Sequence, residues 1–217
     1  MPVLDIESPI IGKQTEGESP FSIKQMALRA MQSLGNTTYN VVADIGAGGG
    51  ELTRLLVPFS NKLLMLDDFE LLDKPPHTEF VKTDLNDFWQ VADNSVDFAF
   101  SLEVIEHIEN PRHFMREINR ILKPGGYGFV STPNNGNLFS RLYFLFKNEH
   151  RWFQDNCYPA HISALTKKDF QRILMENNLQ LIDFHYNYTD TLPIIHVPLR
   201  FKTGAFSSSI GVLFKKY

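Results

Sequence analysis

The sequence predicts an α/β fold in which a mostly parallel sheet carries helices on both faces. Three observations predict it. Short apolar runs alternate with segments whose apolar residues recur at helical spacing, and a glycine cluster joins the first such run to the helix behind it. The alternation holds in order from about residue 40 to residue 132. The 217 residues, 43% hydrophobic and 21% charged, suit a globular chain that buries a core without staples. One domain over 1–217 is expected, with a helical cap at 1–36 and an insertion at 133–163.

Each element has a local reason. Residues 1–19 mix Pro, Gly, Ser and acids and read as an extended leading segment. Residues 20–34 read as a helix: Pro20 suits a first turn, and Ile23, Met26, Ala27, Ala30, Met31 and Leu34 share a face until Gly35 and Asn36 stop it. Val41–Ile45 reads as a strand, Glu51–Val57 as a helix, and Leu63–Leu66, Glu79–Lys82 and Val96–Phe100 as strands. Asn110 and Pro111 start a helix with Phe114, Ile118, Ile121 and Leu122 on one face. The stretch Lys123-Pro-Gly-Gly126 stops it, and Tyr127–Ser131 is the fifth strand. Thr166 caps a helix bearing Phe170, Ile173 and Leu174, with Asp169 in its first turn. Leu179–Tyr186 and Ile210–Phe214 are two final strands.

Composition narrows the function classes. A net charge of −4 gives no global field for nucleic acid, so DNA is not an expected partner. Cys157 is the one cysteine, which excludes an internal disulfide, and it reads as a small, partly buried residue. The first eleven residues contain acids and no basic n-region, and no apolar run reaches the ~20 residues of a bilayer span. A cytoplasmic protein is expected.

The most informative segment is Asp44-Ile-Gly46-Ala47-Gly48-Gly-Gly50, which follows a strand and opens a helix. Glycines there allow a tight turn and close approach of backbone to ligand. The dinucleotide pattern G-x-G-x-x-G fails, because its third glycine falls on Glu51, and an acid at that helix start disfavours a pyrophosphate. No Gly-Lys-Ser/Thr follows, so the phosphate-loop pattern fails too. A nucleoside with a cationic centre remains compatible.

On these residues the chain resembles the class I S-adenosylmethionine-dependent methyltransferases, whose loop D-x-G-x-G-x-G is met by Asp44, Gly46, Gly48 and Gly50. The family places an acid at the end of its second strand for the ribose hydroxyls. Asp67, 17 residues beyond Gly50, matches it, with Asp68 as substitute. An acid after the third strand, for the adenine amine, is matched by Asp84 before Leu85. Ser95–Phe100 followed by Leu102-Glu103, and Leu122–Gly126 before the fifth strand, continue the match. The resemblance implies a Rossmann-like three-layer sandwich with seven strands, the last antiparallel. It also implies S-adenosylmethionine as cofactor, held by Asp44, Gly46, Ala47, Gly48, Gly50, Asp67, Asp68, Asp84, Leu85, Leu102 and Glu103.

A second constellation follows the fourth strand, at the sheet edge where ligands tend to sit. In Glu103-Val-Ile-Glu106-His107 a helical turn would put Glu103, Glu106 and His107 on one face. With His161 these could bind a divalent cation, Mg2+ being the expectation. Without one, His107 or His161 could serve as general base beside Glu106. Glu103–His107 and Ser131-Thr-Pro-Asn134 resemble the ubiquinone-biosynthesis O-methyltransferases. The order Glu103, Glu106, His107, His161 also resembles small-RNA 3′-terminal 2′-O-methyltransferases, which hold magnesium. The basic pairs Lys167-Lys168 and Lys215-Lys216 are too small to form an RNA groove. No Asn/Asp-Pro-Pro-aromatic motif follows the fourth strand, which disfavours a base N-methyltransferase.

Between 133 and 163 the regularity breaks. Leu138, Leu142, Leu145 and Phe146 form an apolar stripe with Arg141 and Lys147 beside it. The simpler expectation is a short helix packed on the core; the functional one is a lid that meets a greasy acceptor or a membrane surface. Residues 192–201 have a similar character. The leading expectation is O-methylation of a small, hydrophobic molecule. A metal-dependent RNA-end enzyme and a non-catalytic methyltransferase-like subunit are the alternatives.

Overall fold

The computed structural model describes residues 19–187 and 204–217, so the leading segment before Ser19 and the apolar run at 192–201 lie outside the described residues. In chain order the elements are α1 (Phe21–Gln32), β1 (Tyr39–Ile45), α2 (Glu51–Leu56), β2 (Ser60–Asp67), β3 (Thr78–Lys82) and β4 (Val96–Leu102). Then come α3 (Pro111–Ile121), β5 (Leu122–Pro133), α4 (Leu138–Lys147), α5 (Lys167–Glu176), β6 (Leu179–Tyr186) and β7 (Ser209–Lys216). The seven strands form one sheet in the order β3-β2-β1-β4-β5-β7-β6. All pairs from β3 to β5 are parallel, and β7 runs antiparallel to both of its neighbours, as expected for the last strand.

Two apolar layers sandwich this sheet. Along β1 the side chains alternate. Val42 joins Ile23, Met26, Ala27, Ala30 and Met31 of α1 and Leu52 and Leu56 of α2. Ala43 and Ile45 join Phe114, Ile118 and Ile121 of α3 and Phe170 and Ile173 of α5. Each fully buried side chain of this size contributes about 1.5–3 kcal/mol, and the aromatic ladder Phe98–Phe100–Phe129 adds stacked and tilted contacts on the α1 side.

The helices begin where their local chemistry says they should. The Asn110 side chain accepts from the His113 backbone N–H at 3.1 Å, and Pro111 occupies the first turn of α3. The Asp169 carboxylate accepts from both the N–H and the hydroxyl of Thr166, at 3.0 and 2.6 Å, closing the start of α5. Strands run longer than their apolar runs: β2 starts at Ser60, because parallel pairing to Tyr39 recruits its polar end.

Two local expectations need correction. Lys123–Gly126 is more than a helix stop. β5 already begins at Leu122, opposite Val96, and the register then slips so that Phe98 meets Tyr127. The intervening residues bulge, with Gly125 at φ +81°, and Lys123 Nζ donates to Asp97 at 2.7 Å. The second correction concerns α4. Its stripe does not pack on the core: Leu138, Leu142, Leu145 and Phe146 are exposed, while Ser140 is buried. The cause lies in the preceding polar turn. Asn137 accepts from the Ser140 N–H and donates to the Ser207 carbonyl, and the Leu138 N–H donates to the Ala205 carbonyl. These bonds set the side of the helix that faces inward before the apolar pattern can.

Candidate functional site

The chain leaves β1 outward to β2 and β3, then returns to β4 on the other side of β1. The strand order therefore reverses between β1 and β4, and a crevice opens beyond their carboxyl ends. The glycine loop sits there. Gly46 and Gly50 adopt φ +73° and +72°, and a Cβ on Gly46 would lie 2.4 Å from a Val104 methyl carbon. Only glycine fits that approach without moving Val104. The Gly48 N–H donates to Asp67 Oδ2 at 2.8 Å, bringing the end of β2 across to the loop. The other Asp67 oxygen accepts from the backbone of Asp68 and Phe69. Burial raises the Asp67 carboxyl above its usual value, against the bond from Gly48.

Asp44 is buried near the end of β1. Its carboxylate accepts from the Thr53 hydroxyl at 2.6 Å, and burial raises it to about 6. It lines a small cleft with Gly46, Ala47, Leu102 and Lys24. Asp84, by contrast, is exposed and caps its own turn by accepting from the Asn86 backbone at 2.8 Å, while Leu85 packs on the core. The glycine loop, Asp44, Asp67 and Leu102 thus converge; Asp68 is half-buried beside them, and Asp84 and Leu85 stand farther along the same sheet edge.

Lys24 was not singled out by the sequence. It belongs to α1, its side chain is only 5% exposed, and it pairs with Glu51 over the cleft that Asp44 lines. A lysine beside an apolar helix stripe usually reads as solvated. Its partner, 27 residues away in sequence, becomes visible only when α1 lies across the start of α2.

The second constellation forms differently from the helical turn expected. Glu103 takes φ +57°, which turns the chain sharply at the end of β4, and only Ile105–His107 makes a short 3-10 turn. Glu103 therefore points apart from His107. Its carboxylate accepts from the hydroxyls of Ser131 at 2.7 Å and Ser209 at 3.2 Å, tying β4 to β5 and β7. Burial raises the Glu103 carboxyl to about 7. Glu106 is buried, accepts from the Thr132 hydroxyl at 3.1 Å, and is pushed well above the usual carboxyl range by burial and by Glu103.

The two histidines do meet. Their rings lie edge to face at 4.8 Å, with Phe153 against His161 at 5.4 Å. His107 Nδ1 bonds to the Ala160 carbonyl at 2.8 Å, and His161 Nδ1 to the Trp152 carbonyl at 2.6 Å. A carbonyl only accepts, so each Nδ1 carries the proton and Nε2 is the basic nitrogen of each neutral ring. Burial lowers both, His107 to about 4.

Glu106, His107 and His161 offer one ligand atom each, all within 4.8 Å of one another; Glu103 is not part of the group. The expected four-residue Mg2+ set is thus not assembled. Two imidazoles and one carboxyl do not suit Mg2+, which wants oxygen donors. The residues as placed do not fit a bound magnesium ion.

Residues 24–183 match the methyltransferase-domain family. The chain is 28% identical over 162 residues to the mitochondrial ubiquinone biosynthesis O-methyltransferase of Dictyostelium discoideum, covering 65% of this chain and 50% of that protein. It is 35% identical over 101 residues to the biotin biosynthesis bifunctional protein BioHC of Cellvibrio japonicus, covering 44% and 20%. The chain spans about half or less of these curated relatives. Among solved structures, a SAM-dependent methyltransferase from Aquifex aeolicus superposes with TM-score 0.62 at 16% identity, over 95% of this chain and 98% of that one. One from Mesorhizobium loti gives TM-score 0.62 at 17% identity, over 88% and 96%. With the glycine loop at the switch point and the single reversed strand, these matches establish that the chain belongs to the methyltransferase-domain family and has the class I S-adenosylmethionine-dependent methyltransferase fold.

Proposed function

We propose that this chain transfers the methyl group of S-adenosylmethionine to an oxygen of a small, hydrophobic acceptor. One observation carries the reading: the glycine loop held to Asp67 follows β1, and His107, in ring contact with His161, follows the adjacent β4. The sulfonium supplies the methyl and the leaving group. The protein's task is to bind, align, keep water out and take a proton.

Asp67 would accept from the ribose hydroxyls, with Asp68 behind it, and Asp84 and Leu85 would flank the adenine edge. Ala47 and Leu102 would wall the cleft, and Lys24 beside Asp44 would face the charged amino-acid tail. His161 is the better general base. It is less buried than His107, which at about 4 is too weak a base to take a hydroxyl proton readily. Glu106, its carboxyl pushed well above the usual range by burial and by Glu103, would hold the floor through Thr132. The insertion 133–163 would form the acceptor wall, with Phe153 and the turn carrying His161. The ubiquinone-biosynthesis relatives support an oxygen acceptor.

The RNA-end alternative has less support. It needs a metal that the donor set does not suit, and Lys167 and Lys215 lie over the rings of Phe184 and Tyr127. The test is a panel of hydroxylated aromatics with alkyl tails of rising length. His161→Asn should lower kcat by about 10²–10⁴ with S-adenosylmethionine affinity unchanged. Turnover retained in both His161→Asn and His107→Asn would contradict the assignment.

A further inference from the structure

We propose that the outward face of α4 docks on an anionic lipid bilayer, holding the acceptor side of the site against the membrane surface. α4 is turned the opposite way from an ordinary surface helix. Its small and half-buried residues, Ser140, Phe139 and Tyr143, face the protein, while Leu138, Leu142, Leu145 and Phe146 face out, the last two 73% and 79% exposed. Phe144 adds a further exposed ring. A contiguous outward apolar patch of this kind on a globular chain marks an interaction surface.

Charge selects the occupant. The chain carries −4 overall, yet between Leu138 and Arg151 the cations Arg141, Lys147 and Arg151 meet one acid, Glu149. A locally cationic, apolar helix on an acidic chain complements anionic headgroups, whereas a second copy would set these like charges against each other. The helix has ten residues, and no described helix is long and apolar enough to cross a membrane, so it would lie in the interface plane.

The location gives the docking a use. α4 grows from the end of β5, whose Ser131 and Thr132 hold Glu103 and Glu106. Its first turn is fastened to the segment just before β7 by the Leu138–Ala205 bond and the Phe139–Phe206 ring contact. A bilayer under α4 would present an acceptor dissolved in lipid to the edge that carries the histidines. In this the inference rests on the lipophilic-acceptor reading above, but its test needs neither acceptor nor turnover.

The test is flotation of the full chain with vesicles of equal parts phosphatidylcholine and phosphatidylglycerol, and with pure phosphatidylcholine. The expected result is flotation with the anionic vesicles that falls as salt rises. Leu145→Ser/Phe146→Ser should cut it about tenfold or more, and Arg141→Glu/Lys147→Glu likewise. Calorimetric affinity for S-adenosylhomocysteine should stay unchanged in both, showing that the variants are folded and separating this inference from the cofactor assignment. No flotation of the wild type, or flotation indifferent to both variants, would overturn the proposal. So would a concentration-dependent dimer that Leu145→Ser/Phe146→Ser dissolves in the absence of vesicle binding, because the face would then belong to a second copy.

Discussion

At the scale of single residues, the site depends on where charge is buried. Glu103 has its carboxyl raised to about 7 by burial, against about 4.5 when exposed. Between those values the folded chain binds more protons than the unfolded chain, so this group's contribution to stability is full below about 4.5 and declines as pH climbs to about 7. His107 works in the opposite direction: lowered to about 4, it destabilises the fold as pH falls from about 6.5 to about 4. Glu103→Gln isolates the first effect. Its melting temperature relative to wild type should be higher above about 7 than below about 4.5, as thermal denaturation at the two ends would show; an equal difference at both ends would mean that Glu103 is not held protonated. The sequence marked Glu103, Glu106, His107 and His161 but could not arrange them. A helical template places Glu103 beside His107, whereas the left-handed turn at Glu103 sends its carboxylate to Ser131 and Ser209, which lie 28 and 106 residues away.

At the scale of elements, local chemistry was legible and orientation was not. The box formed by Thr166 and Asp169 was readable because its partners are three residues apart, and Asp169→Ala should cost about 1 kcal/mol of stability by denaturant titration. Gly46 was readable from its pattern, although the reason for it is the Val104 side chain from another strand's end. Gly46→Ala should lower both stability, by about 1–2 kcal/mol, and cofactor affinity, because a side chain there is strained at φ +73° and has no room. The apolar stripe of α4 shows why periodicity gives a face without giving its direction. Leu138, Leu142, Leu145 and Phe146 have the spacing of a core helix, but the hydrogen bonds of Asn137 and Leu138 to residues near 205 turn that face outward. Strand limits were underread for a related reason, since polar residues such as Ser60 join a ladder when a neighbouring strand supplies the partners.

At the scale of the whole molecule, strand alternation sufficed for the architecture. Parallel strands buried on both faces must be nearly continuous in apolar residues, and such runs are visible without any knowledge of contacts. Their order is less visible, yet it is the order that makes the site: the reversal between β1 and β4 places the loop, Asp67 and the histidines at one edge. Lys24 is not legible in the sequence, because its meaning arises only from the way α1 crosses that edge. The central claim is that this edge holds S-adenosylmethionine. The most direct measurement is calorimetric titration of the purified chain and of Asp67→Ala with S-adenosylmethionine. Binding near micromolar that weakens about tenfold or more in Asp67→Ala, from loss of charge-assisted hydrogen bonds worth about 1.5–3 kcal/mol, is the expected result. No binding to the folded wild type, or equal affinity in the variant, would contradict it.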